Sequence, residues 1–109
     1  MARVAAVLGQ GELATAVAAI VGPVPPNETW YVTRLDFVNT ASEDVTVEVY
    51  INTAGVARKW DQGMLKASGG RGESITDGKA VILGTGNMIL ARASAASAVQ
   101  FYAAGVKDT

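Results

Sequence analysis

The chain has no cysteine and no histidine among its 109 residues. Without cysteine, neither a disulfide nor a thiolate metal site can hold the fold, so packing has to. Without histidine, the commonest general base at neutral pH and the commonest zinc ligand are missing, which excludes most hydrolytic triads. Charge is also scarce: 9 basic residues face 10 acidic ones, for a net charge of -1 and a charged fraction of 17%. No basic stripe is present that could displace counterions from a phosphate backbone, so nucleic acid is not expected as a direct partner. Long hydrophobic runs are lacking too. Leu13 to Val21 falls far short of the ~20 apolar residues that span a bilayer, so no membrane partner is expected. Met1-Ala2-Arg3 followed by Val4 to Leu8 faintly imitates a secretory signal, but Gln10, Gly11 and Glu12 break the run too early. A soluble, unprocessed chain is expected.

What is present is apolar and small. Half of the residues are hydrophobic, chiefly Ala and Val, while aromatics make up only 6%. A chain of this length forms one domain and buries roughly two-thirds of its unfolded surface. With so few charges, part of the exterior has to be apolar, and apolar surface in quantity marks contact with another chain. Self-association or docking is the expectation.

The strongest local signal runs from Trp30 to Asn52. Val45, Val47, Val49 and Ile51 alternate with Thr46, Glu48, Tyr50 and Asn52, the period of a half-buried strand. An upstream segment places Tyr31, Thr33, Leu35 and Phe37 on a core face, and Trp30, Val32, Arg34, Asp36 and Val38 on the other. The polar loop Asn39 to Asp44 between them reads as a β-hairpin connection. Leu13 to Val21, bounded by Gly9 and Gly11 on one side and Gly22-Pro23 on the other, is short for a helix and reads as a strand. Val24-Pro25-Pro26-Asn27-Glu28 is a rigid corner. Val56 to Trp60 and Gln62 to Lys66 read as two short edge pieces, with lysines suited to edge protection. Ala67 to Gly72 is a glycine-rich loop. Glu73 to Thr76 and Ala80 to Leu83 are strands around the turn Asp77-Gly78, and Met88 to Ser94 and Val99 to Val106 are the last pair. The expected fold is all-β: a single antiparallel β-sandwich or jelly-roll-like barrel of seven to eight strands over residues 1–109, with 1–22 as an arm or as the first strands.

In order, Val24-Pro25-Pro26-Asn27-Glu28-Thr29, Trp30 to Asn39, Val45 to Ile51, Gly72-Glu73-Ser74, Val81-Ile82-Leu83 and Gly86-Asn87-Met88-Ile89 form a series of turn and core landmarks. Over residues 13 to 107 this series resembles the small β-sandwich virion proteins of tailed bacteriophages. Two positions depart from the pattern: Asn87 stands where an acidic residue is usual, and Pro26 where Ala is frequent. The resemblance implies a structural role in the virion after synthesis in the host cytoplasm. The roles it implies are a capsid decoration or cement protein, a head-fibre base or a small tail component. It also implies a homo-oligomer, often a trimer, that contacts major capsid or tail proteins.

Candidate chemistry is thin. Glu43-Asp44 is an adjacent pair in a strand-like setting, where neighbouring side chains point apart, so it makes a poor acid and base couple. Asp77-Gly78 with Asn87 could offer oxygen ligands to Ca²⁺, though turn chemistry accounts for them. Gly69-Gly70-Arg71-Gly72 lacks the Lys-Ser/Thr of a phosphate loop. No catalytic residue, cofactor or metal is expected. Trp30, Tyr31, Tyr50, Trp60 and Tyr102 could stack on sugars, which makes a carbohydrate-binding module or a small tail or fibre adhesin the rival reading. Aromatics equally anchor protein interfaces. The interface candidates are Trp60, Met64 and Leu65 on the middle edge, with Trp30, Arg34, Asp36, Glu48 and Tyr50 as outward positions of the long strands. Val4 to Leu8 could reach a neighbour as an arm.

Overall fold

β-Branched residues spaced by two favour an extended strand with one buried face. In the computed structural model, which describes residues 3–53, 55–75 and 80–109, Val45, Val47 and Val49 are such a face, each at most 3% exposed. The same pattern builds nine strands among the described residues: β1 (Arg3–Glu12), β2 (Ala18–Val21), β3 (Thr29–Asn39), β4 (Val45–Thr53), β5 (Val56–Leu65), β6 (Arg71–Ile75), β7 (Val81–Leu83), β8 (Met88–Ala93) and β9 (Val99–Asp108). They form two antiparallel sheets packed face to face as a β-sandwich. One sheet runs β1-β9-β3-β6, with β7 sharing the β6 edge of β3, and the other runs β2-β8-β4-β5.

Between the sheets lies one core. Val32, Leu35, Leu83, Ile89 and Val99 are fully buried there. Each such side chain contributes about 1.5–3 kcal/mol relative to exposure. Ile89, Ala91 and Ala93 of β8 are buried along with Val99 and Ala103 of β9, and Phe101 packs at the core margin.

Four sequence expectations are corrected. First, β3 and β4 are not a hairpin, because they belong to different sheets. Alternation identifies a strand with one buried face and is silent about which strand pairs with it. The connection 40–44 is an arch between sheets, held by Asn39, which is wholly buried. Its Nδ2 donates to the carbonyls of Glu43 (2.9 Å) and Leu65 (3.1 Å), and its Oδ1 accepts from the Ala41 amide (2.9 Å). Its own amide donates to Gly70 O, and its carbonyl accepts from the Gly69 amide.

Second, the core face of β3 changes midway. Leu35 and Phe37 are buried as expected, but so are Trp30 and Val32, in place of Tyr31 and Thr33. The register on β9 slips between Val32, opposite Gly105, and Arg34, opposite Ala104. That extra residue, a β-bulge, inverts the alternation. A side chain at position 105 would run into the carbonyl oxygen of Tyr31, so glycine is required where the strands close up.

Third, Gly9 and Gly11 do not break the chain before a strand at 13–21. They lie inside β1, which pairs with β9 from Arg3↔Asp108 to Glu12↔Gln100, and the following strand is only Ala18–Val21. At Gly9 the backbone passes so near the Ile20 carbonyl that a Cβ would overlap it. Val4 to Leu8 is thus the first half of a paired strand. Fourth, 56–65 is one strand and not two pieces, with its interruption absorbed by a register slip between Val49↔Asp61 and Tyr50↔Lys59. The proposed Asp77-Gly78 turn and the Thr76 end of its strand lie outside the described residues.

Replacing Asn39 by Ala strips three side-chain hydrogen bonds from a buried arch. A buried group left unpaired costs about 1–3 kcal/mol, so Asn39→Ala is expected to lose about 2–4 kcal/mol. Urea unfolding followed by tryptophan fluorescence measures it. A change under about 0.5 kcal/mol, the size of an ordinary surface substitution, would show that the arch does not depend on this amide.

Candidate interface on the edge strand and outer faces

Among the described residues, strand β5 is an edge, paired with β4 on one side only. Its residues Val56 to Met64 are all exposed and only Leu65 is buried. A strand normally hides every second residue, so exposure on both faces means that β5 extends past the cover of the opposite sheet. Its composition agrees: the positions paired with inward Val47, Val49 and Ile51 are Gly63, Asp61 and Arg58. Apolar side chains nonetheless remain in water there, with Val56 49%, Trp60 44% and Met64 57% exposed. Trp60 is the extra residue of the bulge, between Lys59 and Asp61.

The outer face of β4 carries a polar network set by register. Glu48 sits opposite Gln62 on one neighbour and Arg92 on the other, and Tyr50 sits opposite Lys59. Lys59 Nζ donates to Glu48 Oε1 at 2.8 Å and to Gln62 Oε1 at 3.0 Å. Arg92 Nε lies 3.4 Å from Glu48 Oε2, which also accepts from the Tyr50 hydroxyl at 3.4 Å. The Lys59 hydrogen bond is the chief cause that holds the Glu48 carboxyl below its ordinary value, against some desolvation, with the charges of Lys59 and Arg92 helping. Reciprocally, the bond to Glu48 raises the Lys59 ammonium.

On the other sheet, β3, β6 and β9 present a shallow groove of about 340 Å³, whose lining includes Arg34, Asp36, Arg71, Glu73, Gln100 and Tyr102. Arg34 and Asp36, two apart on one face of β3, pair at 2.8 Å (Nε to Oδ2). The other oxygen, Asp36 Oδ1, is shielded from water and has no hydrogen-bond partner among the described residues. Asp36 lies opposite both Tyr102 and Glu73, so the groove crosses three strands. A smaller cleft of about 190 Å³ separates β5 from β6 along the open edge of the sandwich.

The interface candidates therefore divide. Trp60 and Met64 are both exposed on the edge strand β5, and Glu48 and Tyr50 lie on the neighbouring β4. Arg34 and Asp36 belong to the groove on the opposite sheet. Leu65 is corrected: it turns into the core under Gly72, 6% exposed, where β5 regains cover. Trp30 is corrected as well. Because the β3 bulge turns it inward, it is 8% exposed, its Nε1 donates to Glu28 Oε1 at 3.0 Å, and Lys107 Nζ stands 4.5 Å from its ring centroid. Sequence reasoning missed Val56 and the groove residues Arg71, Glu73 and Gln100, and it named Tyr102 as a sugar-stacking aromatic without placing it in a groove. One signal was available, since Arg58-Lys59-Trp60-Asp61-Gln62 has no apolar alternation and so cannot be a half-buried strand. Asp77, half of the Ca²⁺ idea, lies outside the described residues, and among those residues no group of three or more acidic side chains is placed to hold a metal.

A comparison with protein-family models finds no match, and a comparison with curated proteins finds no similar chain.

The Glu48 cluster makes a pH prediction. A carboxylate depressed on folding adds stability above its ordinary value of 4.5 and loses it as pH falls through the folded value. An ammonium raised on folding adds stability below 10.5 and loses it as pH rises through the folded value. Glu48→Gln should therefore show a smaller fall in melting temperature than the wild type between about pH 5 and pH 3. It should also show a smaller fall above about pH 10. Scanning calorimetry across pH reads both limbs, and parallel curves for the two proteins would refute the assignment.

Proposed function

We propose that this chain is a non-enzymatic virion structural protein, a capsid decoration or cement protein that docks on the particle surface and associates with copies of itself. The observation that carries the reading is the edge strand β5, unpaired on one side, exposed on both faces and bearing Val56, Trp60 and Met64. Apolar side chains held in water on a rigid strand are what an assembly contact consumes. The resemblance of the turn and core landmarks to phage β-sandwich proteins supplies the particle as the setting. The mechanism is area burial multiplied by copy number: each copy contributes a modest contact, and many copies on a symmetric lattice give avidity.

Carbohydrate binding is the second reading, and one observation favours it. The outer groove of β3, β6 and β9 sets the exposed ring of Tyr102 among Arg34, Asp36, Gln100 and Glu73, planar polar groups that suit vicinal hydroxyls. Trp30, being buried, cannot serve that role.

Two experiments separate the readings. Protein added to tailed-phage particles stripped of their decoration should rebind to a fixed copy number, and Trp60→Ala/Met64→Ala should weaken rebinding at least tenfold while leaving the melting temperature within a few degrees. Absence of rebinding by the wild type would refute the particle role. On a glycan array, signal abolished by Tyr102→Ala would favour the groove, and a blank array would remove it.

A further inference from the structure

We propose that the free edge of β5 is self-complementary and that a second copy of this chain pairs with it antiparallel, about a twofold axis passing between Lys59 and Trp60. This inference rests on the self-association half of the reading above and names its surface, partner and register.

Parity is the first constraint on such a pair. In a twofold antiparallel pair, residues directly opposite one another have to point to the same face of the joined sheet. In an uninterrupted strand only residues an even number apart satisfy that. Strand β5 is interrupted. Asp61 and Gly63 share the inward face with Val49 and Val47, while on the far side of Trp60 the inward residues are Arg58 and Val56, opposite Ile51 and Thr53. Gln62 and Met64, and on the far side Lys59 and Ala57, face outward with Glu48, Thr46, Tyr50 and Asn52. With the bulge at the axis, face matching requires an odd separation.

Charge then selects the register. Setting Arg58 opposite the partner's Asp61 matches faces and makes two symmetry-related ion pairs. The same register sets Ala57 opposite the partner's Gln62, Val56 opposite the partner's Gly63, and Lys59 beside the partner's Trp60, where a cation can meet an indole. A slip by two residues one way sets the inward Arg58 against the partner's outward Lys59 and fails the face match. A slip the other way leaves Arg58 opposite the partner's Gly63. Arg58 and Asp61 are also the charges still available. Among the described residues neither makes an ion pair within its own chain, whereas Lys59 is engaged by Glu48.

A bulge and a lysine ordinarily blunt an edge against pairing. Here the lysine is turned onto the outer face toward Glu48, and the bulge permits a copy with the same bulge while putting a regular strand out of phase. The device therefore discriminates for self. Pairing joins two four-stranded sheets into one of eight strands, and a twofold pair closes on itself. The surface thus assigns a dimer where the resemblance implied a trimer.

The absence of native cysteine permits a clean test. The double variant Ala57→Cys/Gln62→Cys, mildly oxidised, should convert in majority to a disulfide-linked dimer. Within one strand those positions are about 16 Å apart, too far for an internal bond, at ~3.3 Å per residue. Ala57→Cys/Met64→Cys, which matches the shifted register, should link at least tenfold less. Arg58→Asp should weaken dimerisation at least tenfold by analytical ultracentrifugation, and Arg58→Asp/Asp61→Arg should restore it, a rescue that a misfolded variant could not show. A dimer without the 57–62 link overturns the register, and a trimeric or monomeric mass overturns the inference. Monomers that still rebind to particles would overturn it while leaving the particle role standing.

Discussion

A buried amide at the end of β3 ties the two sheets together. The chain leaves one sheet at Asn39 and enters the other at Val45, and an arch of that kind exposes backbone groups that neither sheet can pair. Asn39 answers several at once, binding the arch at Glu43 and Ala41 and the end of β5 at Leu65. Through its backbone it also holds the 66–70 turn. β3, β4, β5 and β6 therefore meet at one fully satisfied polar centre. In a chain without cysteine, such a centre fixes which strand goes to which sheet, while the valines and leucines supply most of the stabilisation.

From that corner β5 runs outward, and its character changes along its length. Leu65, next to the clamp, is covered; everything from Met64 to Val56 is not. The strand keeps its place through hydrogen bonds to β4 and through the Glu48 network on the outer face, which pins Lys59, Arg92, Gln62 and Tyr50 by register. Stability on this side of the molecule is thus polar and lateral, which leaves the apolar side chains of the edge free to be buried by another chain. The bulge at Trp60 is where the two functions meet, because it presents the largest exposed side chain of the strand and sets the phase of the free edge.

The fold class was legible in the sequence, and the pairing was not. Alternation at Val45 to Ile51 found a strand and its buried face correctly, since burial on one side is a local consequence of periodicity. It misassigned the partner of that strand because hairpins and arches have the same local pattern; what distinguishes them is the sheet each strand joins and contacts such as the Asn39 bond to Leu65, 26 residues away. The face of β3 was read correctly beyond Thr33 and wrongly before it, because a bulge is created by the approach of Gly105 to Tyr31 on another strand. That single slip turned Trp30 from an outward candidate into core. Trp60 was legible as an exterior residue because the charged Lys59 and Asp61 flank it on an edge, whereas Met64, equally exposed, has Gly63 and Leu65 as neighbours and carries no such signal. The groove around Tyr102 was missed, since its residues come from three strands and no local spacing unites them.

Amide hydrogen exchange of the wild-type protein at low and high concentration tests the central claim, that β5 is an edge awaiting a partner. The account predicts that amides of Val56 to Met64 gain protection as concentration rises, while those of β1, an edge strand of the other sheet, keep the same rates. Exchange in β5 that is independent of concentration, in protein that remains folded, would contradict it.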